Sequence, residues 1–247
     1  MTMLTQVEGI VLSETPYSES SKILNIITKE YGVIGVLSKG CKSLKSPLRS
    51  VSTKLTFGKF NIKYKEGKLS TLISVDIINN LKNIKTDLSL KSISYVYFIL
   101  ELAEQVMKHN YSCKIYDLML SSILKINDGF DALVITNILE LKYLAYLGVM
   151  PVLDGCCVCG NRTSIATLSS SRGGLVCNNC RQNEKIVDKK TIKLIRMLYY
   201  VDISKITNLD ISLKLKTEVN VFLDEYYDRY TGLYLKSKKF LNELNEI

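Results

Sequence analysis

The sequence predicts an α+β protein with a five-stranded barrel at its N-terminus, followed by an α-helical domain that carries a cysteine-rich insertion. Three observations support this prediction. Residues 1–77 contain short stretches of alternating hydrophobicity, apolar residues recur at helical spacing from about Asp87, and two Cys-x2-Cys pairs interrupt the helical pattern after residue 150. The chain has 247 residues, 47% of them hydrophobic, which is enough to bury at least one full core.

The N-terminal strands are predicted from residue type and period. β-Branched and aromatic residues mix with period-two stretches in five segments: 7–12, 23–28, 33–37, 54–64 and 69–77. Glu30-Tyr31-Gly32 and Glu66-Gly67-Lys68 supply the glycine that a tight hairpin needs, whereas residues 38–52 form one longer polar connection. Five short strands favour a small Greek-key barrel of the oligonucleotide-binding (OB) type, which we assign to residues 1–80.

Helical spacing replaces the strand pattern in the rest of the chain. A first helix has one apolar stripe between Ile93 and Met107, and further helices are predicted at 114–126, 131–147, 191–200 and 211–230. The segment 131–147 is apolar on most sides, so we expect it to lie inside a bundle, ended by Gly148 and Pro151. The helical domain is therefore predicted to comprise residues 81–150 and 186–247, with residues 151–185 inserted.

The inserted segment has the spacing of a four-cysteine zinc site. Cys156 and Cys159 form one Cys-x2-Cys pair, and Cys177 and Cys180 form a second pair after seventeen intervening residues. Buried apolar cysteines are the alternative, but a polar, serine-rich stretch is a poor place for a core. Four thiolates leave no open position on the metal, so we predict one structural Zn²⁺ ion in a zinc finger. Cys157 could compete with Cys156, although only Cys156 gives matched spacers.

Three arginines lie close to these cysteines in the sequence. The four thiolates and Zn²⁺ together carry a charge of −2 by the charges of their parts. Arg162, Arg172 and Arg181 are expected to offset that charge, and contact with DNA is the alternative role for them.

A strongly basic segment lies between residues 38 and 68. It holds nine positive residues and the single acid Glu66. A cationic groove with aromatic platforms binds single-stranded nucleic acid by neutralising phosphates and stacking bases. The predicted DNA-binding residues of this segment are Lys39, Lys42, Lys45, Arg49, Lys54, Lys59 and Lys63. The candidate stacking residues are Tyr17, Phe57, Phe60 and Tyr64, although Phe57 and Phe60 have opposite strand parity, so one of them is expected in the core. A merely solvated lysine-rich face is the alternative.

Composition argues against several other classes of protein. The formal charge of +9 favours partners with phosphate or acidic groups. No apolar stretch approaches the roughly 18 residues of a membrane span, and the first eight residues lack the basic start of a secretory signal, so a cytoplasmic protein without membrane contact is expected. His109 is the only histidine, and acids are scarce in the basic segment, so we predict no enzymatic activity.

Several motifs, taken in order, resemble the RecO family of bacterial recombination-mediator proteins. The N-terminal ones are EGIVL at 8–12, YSESSKIL at 17–24, TKEYG at 28–32 and Lys39-Gly40-Cys41-Lys42 with Ser46. The later ones are residues 144–151 leading into Cys156 and Cys159-Gly160, Gly173-Gly174 before Cys177, and Gly232 with Leu235-Lys236-Ser237-Lys238 and Leu241. Each motif alone is weak, whereas the ordered set is specific and spans nearly the whole chain.

The resemblance implies an OB domain, a helical domain and an inserted zinc finger. It further implies binding to single- and double-stranded DNA, annealing of complementary strands, and association with RecR. It also implies contact with the C-terminal tail of the single-stranded DNA-binding protein SSB, so that recombinase can load, and a cytoplasmic, nucleoid-associated location. On this basis Lys236 and Lys238 join the predicted DNA-binding residues.

Two rival functions remain open from the sequence. The first is a zinc-containing adaptor whose helical domain and finger bind other proteins and whose basic face is incidental. The second is a zinc-ribbon enzyme that acts on nucleic acid.

Overall fold

The computed structural model describes residues 2–86 and 90–245. The chain divides into two compact units, one formed by residues 1–89 and 100–120 and the other by residues 90–99 and 121–247. Strands dominate the start of the chain and helices dominate the remainder, so the α+β class predicted from the sequence is confirmed. Among the described helices, none is long and apolar enough to cross a membrane.

The first unit contains five strands that pair in a closed order. They are β1 Thr2–Pro16, β2 Lys22–Thr28, β3 Gly32–Ser38, β4 Phe57–Lys65 and β5 Ser70–Asn79. The order around the sheet is β1-β2-β3-β5-β4, and the sheet closes because the long strand β1 pairs with β4 along one half and with β2 along the other. All pairs are antiparallel except β3 with β5, which run parallel. We call this closed sheet the barrel.

The barrel core follows from the alternation of residue types along the strands. Val7, Val11, Leu24, Phe60 and Ile62 are buried and pack against one another, while Asn25 and Asn61, at alternate positions of β2 and β4, are not buried. At the β4–β5 turn, Gly67 has φ +63°, a conformation that L side chains rarely adopt, as the predicted hairpin glycine requires.

In the part of the chain that the structure describes, seven α-helices follow the barrel, with a short 3-10 helix, Ile203–Lys205, before the sixth. They are α1 Lys82–Thr86, α2 Leu90–His109, α3 Cys113–Asn127, α4 Ala132–Tyr146, α5 Lys189–Tyr200, α6 Leu213–Tyr230 and α7 Lys236–Asn245. Residues of α2 and α3 contribute to both units. The predicted start of the first long helix near Asp87 lies outside the described residues. The short helix α1 and the last helix α7 had not been predicted from the sequence.

Helix α4 lies at the centre of the second unit, where α5 and α6 contact it. Ten of its fifteen residues are buried, which confirms the expectation from its nearly uniform apolar surface. Asp131 caps the helix by accepting a hydrogen bond from the Val134 amide at 3.1 Å. The helix ends where Gly148 donates to the Ala145 carbonyl at 3.2 Å, as the Gly148 and Pro151 signals predicted.

Residues 151–185, which we call the cysteine finger, contain a two-stranded sheet. Strand β6, Ile165–Ser169, pairs with β7, Gly174–Cys177, in antiparallel register. Neither strand had been predicted from the sequence. The hairpin brings the second cysteine pair back toward the first.

Candidate metal centre and nucleic-acid interface

The cysteine finger brings four thiols together. The sulfur atoms of Cys156, Cys159, Cys177 and Cys180 all lie within 4.8 Å of one another, and the Cys159 and Cys177 sulfurs are 3.7 Å apart. Two thiolates bound to one tetrahedral zinc ion, at a Zn–S bond of about 2.3 Å, lie about 3.8 Å apart. The donor set and its spacing therefore fit a tetrahedral, thiolate-binding metal ion.

Each cysteine pair is positioned by a backbone turn. In the first turn the Gly160 amide donates to the Cys156 carbonyl and the Cys156 amide donates to the Asn161 carbonyl, both at 2.8 Å. Gly160 has φ +73°, so the turn uses the conformational freedom expected of a glycine after the second thiol. In the second turn the Arg181 amide donates to the Cys177 carbonyl at 3.0 Å. These backbone hydrogen bonds position both cysteine pairs.

Cys157 lies outside the cluster. Its amide donates to the Leu175 carbonyl at 2.7 Å, which ties it to strand β7, and its half-buried thiol is absent from the set of four converging sulfurs. Burial raises the pKa of this thiol above its usual value. The geometry therefore brings together Cys156, rather than Cys157, with Cys159.

The four thiols strongly affect one another's ionisation. Burial would raise the pKa of Cys156, but hydrogen bonds from the backbone at Cys177, Cys159 and Val158 outweigh it and lower the pKa to about 6. Hydrogen bonds with the Cys159 and Cys177 side chains raise the pKa of Cys180 to about 12. One thiolate therefore forms readily, whereas the full set needs a cation to balance its charge.

Two of the three nearby arginines brace the finger itself. Arg172 donates to the Cys180 carbonyl at 3.2 Å and forms an ion pair with Glu184 at 3.4 Å. Arg181 donates to the Glu184 carbonyl at 3.0 Å, whereas Arg162 is exposed. Arg172 and Arg181 therefore hold the loop that carries the second cysteine pair.

The connection between β3 and β4, residues 39–56, is anchored to the barrel by buried groups. We call it the basic connection. The hydroxyls of Ser38 and Ser52 are 2.7 Å apart and both residues are fully buried. Cys41 is buried, and Leu48 packs against the barrel core. The connection has no regular secondary structure, but these buried contacts hold it in a defined conformation.

The cations of the basic connection differ in their surroundings. Lys39, Lys45, Arg49 and Lys54 are exposed. Among the described residues, no salt bridge involves Lys39, Lys45 or Arg49. The half-buried Lys42 donates from its ammonium to the Ser18 carbonyl at 2.7 Å, so it also fixes the connection. The arrangement presents a concentrated positive charge to solvent.

Strand β4 adds lysines on the outer face of the barrel. Its pairing with β1 is continuous from Phe57 to Lys65, so Lys59, Lys63 and Lys65 share one exposed face. Lys59 stands in register between Glu8 and Asp76, which offset its charge. Lys63 stands between Leu4 and Thr71 and has no acidic neighbour in register. The positive surface of β4 is therefore strongest toward its C-terminal end.

The aromatic residues only partly follow the prediction. Phe57 and Phe60 are both buried, so neither stacks on a base. The expectation that one of them lies in the core is confirmed by Phe60, which packs in the barrel core, and Phe57 is buried as well. A register shift between Phe57 and Gly58 in the β4–β5 pairing makes parity an unreliable guide there. Tyr64 stacks on Tyr31 at 4.4 Å between ring centroids, and Tyr17 is 60% exposed.

Lys236 and Lys238 lie in different environments. Lys236 is exposed, whereas the side chain of Lys238 is only 11% exposed and forms an ion pair with Asp224 at 3.1 Å. Its ammonium also lies 3.9 Å from Glu140, a fully buried carboxyl whose pKa burial raises to about 8. The prediction that Lys238 contacts DNA therefore needs correction, because Lys238 fastens α7 within the second unit.

The molecule is a basic α+β protein. It combines a barrel that has an exposed basic connection with a helical part whose cysteine finger holds four thiols that could bind a metal. Family models described as Recombination protein O N terminal and Recombination protein O C terminal match residues 1–81 and 88–239. The chain therefore belongs to the RecO family of DNA repair and recombination proteins, which confirms the resemblance seen in its motifs.

Individual relatives agree with the family match over almost the full length. The chain is 35% identical over 249 residues to the DNA repair protein RecO of Bacillus pumilus, an alignment that covers 99% of this chain and 96% of the relative. It is 33% identical over 243 residues to the protein of the same name from Listeria monocytogenes, covering 97% and 94%. The RecO protein of Bacillus subtilis is 32% identical over 249 residues, covering 99% and 96%.

Proposed function

We propose that this protein is a recombination mediator without catalytic activity of its own. In this proposal it binds single- and double-stranded DNA, anneals complementary strands and helps recombinase to load onto DNA coated with SSB. RecR and the SSB C-terminal tail are its proposed partners, and the chromosome-containing cytoplasm is its proposed place of action. Membership of a family whose relatives are named DNA repair proteins supports the general role.

The observation that carries the DNA-binding proposal is the exposure of an anchored, positively charged connection. Lys39, Lys45 and Arg49 are exposed, while neutral buried groups such as Ser38 and Ser52 hold their backbone. Cations held in place lose little conformational entropy when they bind phosphates, so more of the binding energy is retained. Lys54 and Lys63 add further positive charge to this surface. Lys42 donates to the Ser18 carbonyl and Lys59 stands in register with Glu8, so these two lysines are less available to phosphates.

Annealing by this surface requires no catalytic side chain. Two complementary strands repel each other through their phosphates, and bound cations reduce that repulsion. Base pairing then supplies the driving force for duplex formation. The exposed Tyr17 and the stacked pair Tyr31 and Tyr64 are available as surfaces for unpaired bases. The charge and geometry of the barrel are therefore sufficient for the proposed activity.

The proposed cofactor is one structural Zn²⁺ ion bound by Cys156, Cys159, Cys177 and Cys180. Zinc accepts four thiolates in a tetrahedron, which matches the donor set and the 3.7 Å sulfur separation of Cys159 and Cys177. Four protein ligands leave no position for water or substrate, so the ion would stabilise the finger and take no part in a reaction. The OB-fold barrel at 1–80, the helical domain at 81–150 and 186–247, and the zinc finger at 151–185 are the proposed functional domains.

An annealing assay on complementary strands coated with SSB tests the proposal. The Lys45→Glu/Arg49→Glu variant is expected to anneal the strands about tenfold more slowly than the unmodified protein, because two phosphate-binding cations are reversed. The matched control is Lys190→Glu/Lys193→Glu, which reverses two exposed lysines of helix α5 and changes the net charge equally.

The outcomes of this assay separate the parts of the proposal. Equal rates for the two double variants would contradict the assignment of the basic connection. Annealing of bare strands without annealing of SSB-coated strands would contradict the mediator role and leave DNA binding intact. An unmodified protein that anneals neither substrate would favour the adaptor alternative.

A further inference from the structure

A groove of about 500 Å³ opens in the second unit beside the cysteine finger. Three elements line it: the end of strand β6, the chain that follows the second cysteine pair, and one face of helix α6. None of the residues predicted to bind DNA or metal lines this groove. Its chemistry therefore calls for a separate explanation.

One wall of the groove is the edge of a small sheet. Strand β6 pairs with β7 along one side, and the described residues add no third strand to this sheet. On the other side, the Val187 amide reaches the Ala166 carbonyl at 3.4 Å, and the Thr167 hydroxyl donates to the Lys185 carbonyl at 2.6 Å. Leu168 and Ser169, beyond these contacts, line the groove. Residues 185–187 therefore cover the middle of this edge, and only its end at Leu168 and Ser169 faces the groove.

Apolar side chains lie on the floor and walls of the groove. Phe222 forms a buried part of the lining, at 5% exposure. Val221 and Ile186 also line the groove and remain 50% and 60% exposed. An apolar side chain of a bound partner would bury these half-exposed aliphatic side chains, and that burial favours binding.

The charged residues that line the groove are Glu184, which pairs with Arg172, and Lys185, Glu218 and Glu225, so the lining is acidic although the protein as a whole is basic. Glu218 and Glu225 lie two turns apart on α6, about 10 Å along the helix axis, with Val221 between them. The Ser170 hydroxyl donates to Glu225, and no salt bridge among the described residues involves that carboxylate. Glu218 accepts from the buried Thr191 hydroxyl, and Lys214 approaches it only to 4.0 Å.

These carboxylates restrict what can bind. The chain carries a formal charge of +9, so an acidic groove on it is a local exception that repels phosphates and acidic peptides. An acidic peptide therefore has the wrong charge for this site. Two carboxylates held by neutral hydroxyls, with an aliphatic side chain between them, complement basic side chains that flank an apolar one.

We propose that this groove docks an extended segment of a partner protein in which two lysine or arginine side chains flank apolar ones. The segment lies along the groove, its basic side chains reach Glu218 and Glu225, and its apolar side chains cover Val221, Phe222 and Ile186. This site acts in protein association and does not depend on the proposed DNA binding. The end of β6 lines the groove, so the cysteine finger forms part of the docking site.

Fluorescence anisotropy with defined peptides tests the proposal on the full-length, zinc-loaded protein. The probe is a labelled peptide of sequence Gly-Lys-Val-Ser-Lys-Val-Thr-Gly, and its control has both lysines replaced by glutamate. We expect the lysine peptide to bind and the glutamate peptide not to bind. The Glu218→Gln/Glu225→Gln variant, which keeps both hydrogen-bond acceptors, should weaken binding about tenfold, since each exposed ion pair is worth up to roughly a factor of five.

A second double variant has the same change of net charge and serves as the control. Glu19→Gln/Glu66→Gln neutralises two exposed carboxylates of the first unit and should leave peptide affinity within about twofold of the unmodified protein. Hydrogen exchange should show peptide-dependent protection at residues 165–169. An equal loss in both double variants, protection confined to other residues, or no binding of the lysine peptide would overturn the proposal. So would a concentration-dependent dimer dissolved by Glu218→Gln/Glu225→Gln, because the occupant would then be a second copy of this chain.

Discussion

The basic connection and the cysteine finger are both irregular segments between regular elements, yet they are ordered by opposite means. In the basic connection the charges of Lys45 and Arg49 face solvent and neutral groups such as Ser38 and Ser52 provide the anchors. In the cysteine finger the groups that ionise converge on one point, where the proposed zinc ion would balance their charge. We therefore expect the order of one segment to be independent of the order of the other.

Loss of the metal should have the largest effect, because it should disorder the cysteine finger and leave the basic connection unchanged. In Cys177→Ser we expect the bound zinc to fall from one ion per chain to none, and the β6–β7 hairpin to lose its protection from hydrogen exchange. A structural zinc site contributes about 10–16 kcal/mol of binding free energy at pH 7. DNA affinity should not change, because the basic connection is anchored without metal. Metal analysis and hydrogen exchange measure both effects.

Cys157→Ser is the matched control for that experiment. It removes a neighbouring thiol that lies outside the cluster, so this variant should keep one zinc ion and a protected hairpin. Loss of zinc from Cys157→Ser, or its retention in Cys177→Ser, would show that the ligand set is wrong. A fall in DNA affinity in Cys177→Ser would show that the two segments are coupled.

A pH titration sharpens the comparison, because acid acts on the finger and on the helical core in opposite directions. Burial raises the pKa of Glu140 to about 8, from 4.5 for an ordinary carboxyl. The folded chain thus retains a proton that the unfolded chain releases, so the free energy of unfolding falls as pH rises from about 4.5 to about 8 and then levels off. Acid, in contrast, protonates the thiolates and releases the metal.

Glu140→Gln isolates the contribution of the helical core. The neutral amide removes the titration, so the variant should be similar in stability to the unmodified protein at about pH 4.5 and more stable than it at about pH 9, by on the order of a few kcal/mol. Urea unfolding at the two pH values measures the difference. An unchanged pH dependence in the variant would contradict the assignment to Glu140.

Replacing the buried hydroxyls that anchor the basic connection should have the smallest effect on the free energy of unfolding. Ser52→Ala leaves the buried Ser38 hydroxyl without its partner, which should lower the free energy of unfolding by about 1–2 kcal/mol. The Ser38→Ala/Ser52→Ala variant leaves no orphaned hydroxyl and should recover part of that loss. Urea unfolding compares the three proteins. A single variant as stable as the unmodified protein would mean that this contact does not anchor the connection.

The sequence predicted those features that depend on local pattern. The strand β2 was expected at 23–28 and is found at Lys22–Thr28, because alternation and the flanking turn both mark it. The cluster of four cysteines was predicted from spacing alone, since two Cys-x2-Cys pairs constrain a metal site more strongly than they constrain the chain between them. The strands β6 and β7 in that intervening chain have only five and four residues, which is too short to show a period.

Features that depend on distant partners were missed. Lys238 looks like an exposed helix lysine, and nothing near it in the sequence indicates that Asp224 and the buried Glu140 surround it. Burial of both Phe57 and Phe60 depends on irregular pairing with β5, which is not visible in the β4 sequence. Strand parity and charge counting therefore identified the basic surface as a whole but not the role of every lysine.

The dependence of single-stranded DNA affinity on salt tests the central claim most directly. If the exposed cations of the basic segment bind about four to six phosphates, a plot of log K against log salt concentration should be linear with a slope of roughly −3 to −4. Equilibrium titrations of the zinc-loaded protein at several salt concentrations give this slope. A slope near zero, or no binding at low ionic strength, would contradict the account.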